Sequence, residues 1–137
     1  MELPYEIEIM LTRPGMCLTE VSYDSAVAYL MGANAICHGG ILHGFREWLI
    51  PKVNGRNSNM WSELVLALDF PDSESPRTNL EQLSDHKPVI SFLHQILKKF
   101  WDERNQKGLR IIFLNYEKWL RKQDWYDPTS PKWFDWE

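Results

Sequence analysis

The sequence predicts a mainly all-α fold: a compact bundle of about five helices, with an extended N-terminal arm and an aromatic C-terminal tail. Three observations carry this. Apolar residues return at three- and four-residue spacing in successive segments. Gly and Pro punctuate the chain between those segments, and strand-like patterns are confined to the ends.

Residues 1–12 alternate Glu with apolar side chains (Glu6, Ile7, Glu8, Ile9), the period of a strand or an extended arm. Arg13-Pro14-Gly15-Met16 interrupts regular structure, because proline fixes φ and the glycine after it favours a turn. Ser22 or Asp24 is placed to cap a first helix that runs to about Cys37, with Tyr23, Val27, Leu30, Met31 and Asn34 on its buried face. Gly39-Gly40 separates it from a second helix through Ile41, Phe45, Trp48 and Leu49, which stops at Pro51. After the turn Asn54-Gly55-Arg56-Asn57, Ser58 or Asn59 caps a third helix with the stripe Trp61, Leu64, Val65 and Leu68. Phe70-Pro71 ends it, and residues 71–84, poor in apolar groups, read as a surface loop.

Asp85 is placed to cap the most regular helix, with Pro88 in its first turn and Ile90, Leu93, His94, Leu97 and Trp101 on one face. Lys98, Lys99 and Arg104 fall towards its C-terminus, where the helix dipole favours positive charge. Beyond Lys107-Gly108, the run Ile111–Leu114 alone would fit a strand. The helical period continues past it, however, through Leu109, Ile112, Phe113, Tyr116, Trp119 and Leu120 to the basic Arg121-Lys122. The tail, residues 123–137, has no period, and the whole chain of 137 residues suits one domain.

Composition narrows the function classes. A formal charge of −4 and a pI near 5.6 argue against direct binding of nucleic acid, which needs clustered Lys and Arg, and favour a basic protein partner. No run approaches the roughly 18–20 apolar residues that cross a bilayer. The opening Met1-Glu2-Leu3-Pro4-Tyr5-Glu6 is acidic where a secretory leader would be basic, so a cytoplasmic location is expected. Cys17 and Cys37, the two cysteines, are then expected as small buried apolar groups in place of a disulfide.

Chemistry-bearing residues do not assemble into a catalytic pattern. His38 and His43, with Cys37 beside them, lack the spacing of paired metal ligands, and Cys37-His38 are sequence neighbours unsuited to mutual proton transfer. His94 falls on an apolar helix face, as a hydrogen-bonded core histidine does, while Asp102-Glu103 next to Arg104 read as a solvated helix face. Gly-rich phosphate loops are absent. The expectation is a non-enzyme that takes no metal and no cofactor.

The C-terminal segment is the candidate contact surface. Asp124, Asp127, Asp135 and Glu137 interleave there with Trp125, Tyr126, Trp133, Phe134 and Trp136, so that rings supply contact area and carboxylates steer a basic partner. The same rings can instead fold back over the helices.

Arg13-Pro14-Gly15-Met16-Cys17-Leu18, followed by Tyr29-Leu30-Met31-Gly32 and then Phe45-Arg46-Glu47-Trp48, resembles the first half of a group of small bacterial proteins with immunity functions in toxin loci. Those open on Arg-Pro-Gly-Met-Tyr-Leu-Gly. Cys17 and Thr19 stand here where that motif has Tyr and Gly, and Ala33 where an aromatic residue follows the glycine. The resemblance implies an all-helical protein that binds and neutralises a cognate protein toxin, a basic nuclease being a natural target for an acidic inhibitor. A protein-interaction domain of another bacterial pathway and a small hydrolase using one of the histidines are the alternatives.

Overall fold

The computed structural model describes residues 2–54 and 59–129, and helix follows helix through them. They are α1 (Tyr5–Thr12), α2 (Pro14–Cys17), α3 (Tyr23–Ile36), α4 (Phe45–Val53), α5 (Trp61–Asp69), α6 (Pro76–Glu81), α7 (Lys87–Lys107) and α8 (Leu109–Arg121). Among the described residues there is no strand, so the all-α expectation holds, with eight helices where about five were expected.

The additional helices come from segments whose burial is tertiary. Residues 5–12 form α1, not an extended arm, because Ile7, Met10 and Leu11 make a helical triad that is buried on one side while Glu6 remains outside and Glu8 half-buried. The Pro14–Cys17 segment closes into a single helical turn with proline at its start. Inside the expected loop 71–84, Pro76 starts α6, which packs on α5 and drives Leu80 down to 1% exposure. Arg77 of α6 bonds both carboxylate oxygens of Asp24, at 2.8 and 3.0 Å, and also Glu63, tying together α3, α5 and α6.

Helix limits follow local chemistry, with corrections. The Ser22 hydroxyl accepts from the Ser25 amide at 3.1 Å and caps α3, whose face is Tyr23, Ala26, Val27 and Leu30. Met31, expected inside, is 44% exposed, because the helix has turned away from the core there. Residues 37–44 are turns, and α4 starts only at Phe45 after Gly44, which has φ +87°. A Cβ on Gly44 would stand 2.7 Å from the Leu109 side chain. Helix α4 also runs through Pro51 to Val53, ending on Asn54 in the left-handed region. Burial of Trp48, Leu49 and Ile50 between α5, α7 and α8 offsets the missing proline donor. Met60, not Ser58 or Asn59, precedes α5, and Ser58 lies outside the described residues. Asp85 stands one residue ahead of the N-cap His86 and accepts from the Lys87 amide at 3.0 Å.

Helix α7 is the axis of the molecule, touching α1, α3, α4, α5 and α8, and it buries Val89, Ile90, Leu93, Leu97, Phe100 and Trp101. Gly108, with φ 85° and ψ 161°, lets the chain turn directly from α7 into α8. The buried side chains form one core cluster. Cys17 is half-buried and Cys37 exposed, both as free thiols, so the expectation of two buried cysteines fails. Cys37 is the C-cap of α3 and emerges where that helix ends. Among the described residues no helix is long and apolar enough to cross a membrane.

Candidate partner-binding site

Helix α8 ends on an aromatic stack that places the first residues of the tail. Tyr116 and Trp119, one turn apart on its buried face, stack with centroids 6.2 Å apart. The Trp119 indole N–H donates to the Asn54 side-chain oxygen at 2.9 Å, which locks the ring to the C-terminal end of α4. The Gln123 side-chain Nε2 donates to the Trp119 carbonyl at 2.8 Å, and the Tyr126 backbone amide to the Gln123 carbonyl at 3.2 Å. These bonds turn the chain back so that Trp125 meets Trp119 edge to face, with centroids 6.1 Å apart.

The structure thus divides the predicted contact residues. Trp125 rests on the core yet stays 44% exposed; Asp124 and Asp127 are exposed, and Tyr126 is half-buried against the core. Asp127 accepts from the Thr129 amide at 2.9 Å and hydroxyl at 2.7 Å, a side-chain turn that fixes the direction of the chain. Trp133, Phe134, Asp135, Trp136 and Glu137 lie outside the described residues. Asn54 and Trp119 were missed as parts of the site. Trp119 reads as a core position by its spacing, and only the side-chain amide of Asn54 reveals that its indole also supports the tail.

A second concave surface, a groove of about 920 Å³, lies beside the turns of residues 37–44 and includes His38, His43, Arg46, Trp61 and Phe113. Those turns are pinned from both sides. Asn34 accepts from the amides of Ile41 at 3.2 Å and Leu42 at 2.9 Å. Arg104 donates to the carbonyls of Gly40 at 2.9 Å and His43 at 3.1 Å. Asn34 is therefore a loop anchor and not a core residue. Arg104 does not merely complement the helix dipole. Its guanidinium lies 4.4 Å above the Trp101 ring, and burial holds its pKa below the ordinary arginine value.

The histidines do not converge on chemistry. His43 packs its ring edge on Phe113, His86 accepts from the Tyr23 amide at 3.0 Å, and His94 meets Glu8 at 3.0 Å. Asp102 and Glu103 diverge, since Glu103 accepts from the Trp48 indole, a bond that lowers its pKa, and from Lys107. No group of three His, Cys, Asp or Glu among the described residues is arranged to hold a metal ion. Comparison with known proteins yields no matching family model, and no curated protein or solved structure matches the chain significantly.

Proposed function

We propose that this protein is an immunity-type inhibitor that binds and neutralises a cognate protein toxin without catalysis, using the acidic aromatic segment after α8 as contact surface. The observation supporting this reading is Trp125, 44% exposed on the Trp119 ring, with the exposed carboxylates of Asp124 and Asp127 on either side. A ring supported from beneath has less freedom to lose on binding, and large rigid aromatics dominate interface energetics. The flanking acids suit a basic partner, and a nuclease is such a partner because the surface that holds nucleic acid is itself basic. The Arg13–Leu18 and Phe45–Trp48 segments point the same way by resemblance. By sequence, Trp133, Asp135, Trp136 and Glu137 belong to the same surface.

Co-expression with the toxin encoded by a neighbouring reading frame tests the reading. The wild-type chain should restore growth, and replacing His38, His43, His86 and His94 together should leave the rescue intact. In surface plasmon resonance, Asp124→Asn with Asp127→Asn should slow association and flatten its salt dependence, while Trp125→Ala should speed dissociation. Failure to restore growth would overturn the inhibitor reading. Unchanged rates in both variants would remove this segment from the interface.

A further inference from the structure

We propose that His86 is an acid-sensitive latch: its neutral imidazole holds the first turn of α3 against the start of α7, and protonation of the ring releases it. The Tyr23 backbone N–H donates to the His86 Nδ1 at 3.0 Å, across 63 positions of chain. A ring nitrogen that accepts a hydrogen bond carries no proton, so the neutral ring bears its proton on Nε2. The bond answers a need of α3. Tyr23 is the first residue of that helix, whose opening amides have no partner within it. The Ser22 hydroxyl takes the Ser25 amide, and His86 takes that of Tyr23, a cap supplied from another helix. Tyr23 is fully buried and its hydroxyl donates to the Ser62 carbonyl at 2.7 Å, so α3, α5 and α7 meet at this one residue.

Protonation and this bond exclude each other. In the imidazolium both ring nitrogens are donors, and the Nδ1–H would confront the Tyr23 N–H. The charge would also be badly placed, because His86 is the N-cap of α7 and faces the first amide of α3, the positive ends of two helix dipoles. The carboxylates around the joint are engaged elsewhere. Asp85 accepts from the Lys87 amide at 3.0 Å, and Asp24 of α3 is held by Arg77 of α6, which also bonds Glu63 of α5. Glu63 and Asp69 act on the Tyr23 hydroxyl, at the far end of that side chain from its amide. Glu20 is exposed in the loop ahead of α3, and Lys87 adds a positive charge on the α7 side. The closed joint thus excludes a proton that the open joint accepts: closure is complete above the ordinary histidine range and is lost as pH falls through it. His94, further along α7, has the opposite sign, since its Nε2 meets the Glu8 carboxylate at 3.0 Å and protonation strengthens that pair. Acid therefore loosens α3 from α7 while α1 stays fastened. Neither histidine belongs to the Trp119–Trp125 surface, and the latch stands whether or not the inhibitor reading does.

The first measurement is the tautomer of His86 in long-range ¹H–¹⁵N spectra at about pH 7.5, above the histidine range. A protonated Nε2 with a bare Nδ1 is expected, and the opposite tautomer overturns the proposal. On acidification the Tyr23 amide shift and the His86 ring resonances should titrate on one curve; separate curves overturn it as well. Protection of the Tyr23 amide against hydrogen exchange, corrected for the intrinsic rate, should fall about five- to tenfold between about pH 7.5 and about pH 5, the worth of one hydrogen bond. In His86→Asn the side-chain oxygen stands close to where Nδ1 does and does not titrate, so protection should persist across that range, while His94→Gln should leave the wild-type fall in place. Equal protection at both pH values in the wild type, or a full fall in His86→Asn, would remove His86 as the latch. If His86→Asn does not fold, the tautomer and the shared titration curve decide on the wild-type chain alone.

Discussion

Trp101 shows how much of the fold can rest on one side chain. Its ring is 7% exposed and lies under the Arg104 guanidinium, so Trp101→Ala should destabilise the fold by about 3–5 kcal/mol, the range for removing a large core aromatic. Chemical denaturation measures this, and an unchanged midpoint would place the ring outside the core. Asp69 carries the opposite kind of effect. Burial raises its pKa, and it is the last residue of α5, where negative charge opposes the helix dipole. The folded chain therefore binds this proton more tightly than the unfolded chain. The cost of the charge is present at neutral pH and disappears as pH falls through the raised pKa towards the unfolded value. Asp69→Asn should accordingly stabilise at about pH 7, by up to about 1 kcal/mol, and lose that gain at about pH 3. A gain that persists in acid would remove charge as its cause. Glu103 has the reverse sign: its lowered pKa, due first to the Trp48 indole, gives stability above the ordinary carboxylate range that is lost as pH falls.

Between elements, a few backbone positions decide how the helices meet. Gly108 joins α7 to α8 with φ 85° and ψ 161°, a region that side chains with a Cβ avoid, although space around it is open. Gly108→Ala should therefore cost about 1–3 kcal/mol through backbone strain alone. Thermal denaturation tests this, and a neutral result would mean that the α7–α8 junction relaxes without loss. At Gly44 the restriction is double, positive φ and close approach to Leu109, because α4 begins where the turns meet α8. Helices α1 and α4 show how such contacts override local signals. In residues 5–12 the alternating glutamates imitate a strand, yet the same residues hold Ile7, Met10 and Leu11 at helical spacing. Pro51, a stop signal in the sequence, lies inside α4 because the flanking side chains are buried.

For the whole molecule, the axial position of α7 and a single core cluster lead to two linked expectations. Far-ultraviolet circular dichroism should be dominated by helix, and the helical signal and tryptophan fluorescence should be lost in one coincident thermal transition. A sheet-dominated spectrum would sink the fold, and two separated transitions would mean that part of the bundle melts independently. The charge of −4 acts at the same scale. Under the proposed inhibitor reading, long-range attraction to a basic partner would belong to the summed field of the chain, and residence time to individual rings such as Trp125.

What the sequence by itself determined is the content of regular structure and much of its placement. The helices around Tyr23, Trp61, Ile90 and Ile112 were legible because burial on one side imposes a helical period on the side chains themselves. The tail's mixture of rings and acids was legible too, since it is a matter of composition. Only the tertiary structure decided that residues 5–12 and 76–81 are helical, because each buries few residues and depends on neighbouring elements for the rest. The same holds for the contacts that organise the surfaces. Trp119 supports Trp125 through Asn54, Arg104 and Asn34 pin the turns between α3 and α4, and His86 caps α3 from the start of α7. These juxtapositions join residues far apart in the chain, and periodicity, a local signal, holds no information about which distant side chains will meet.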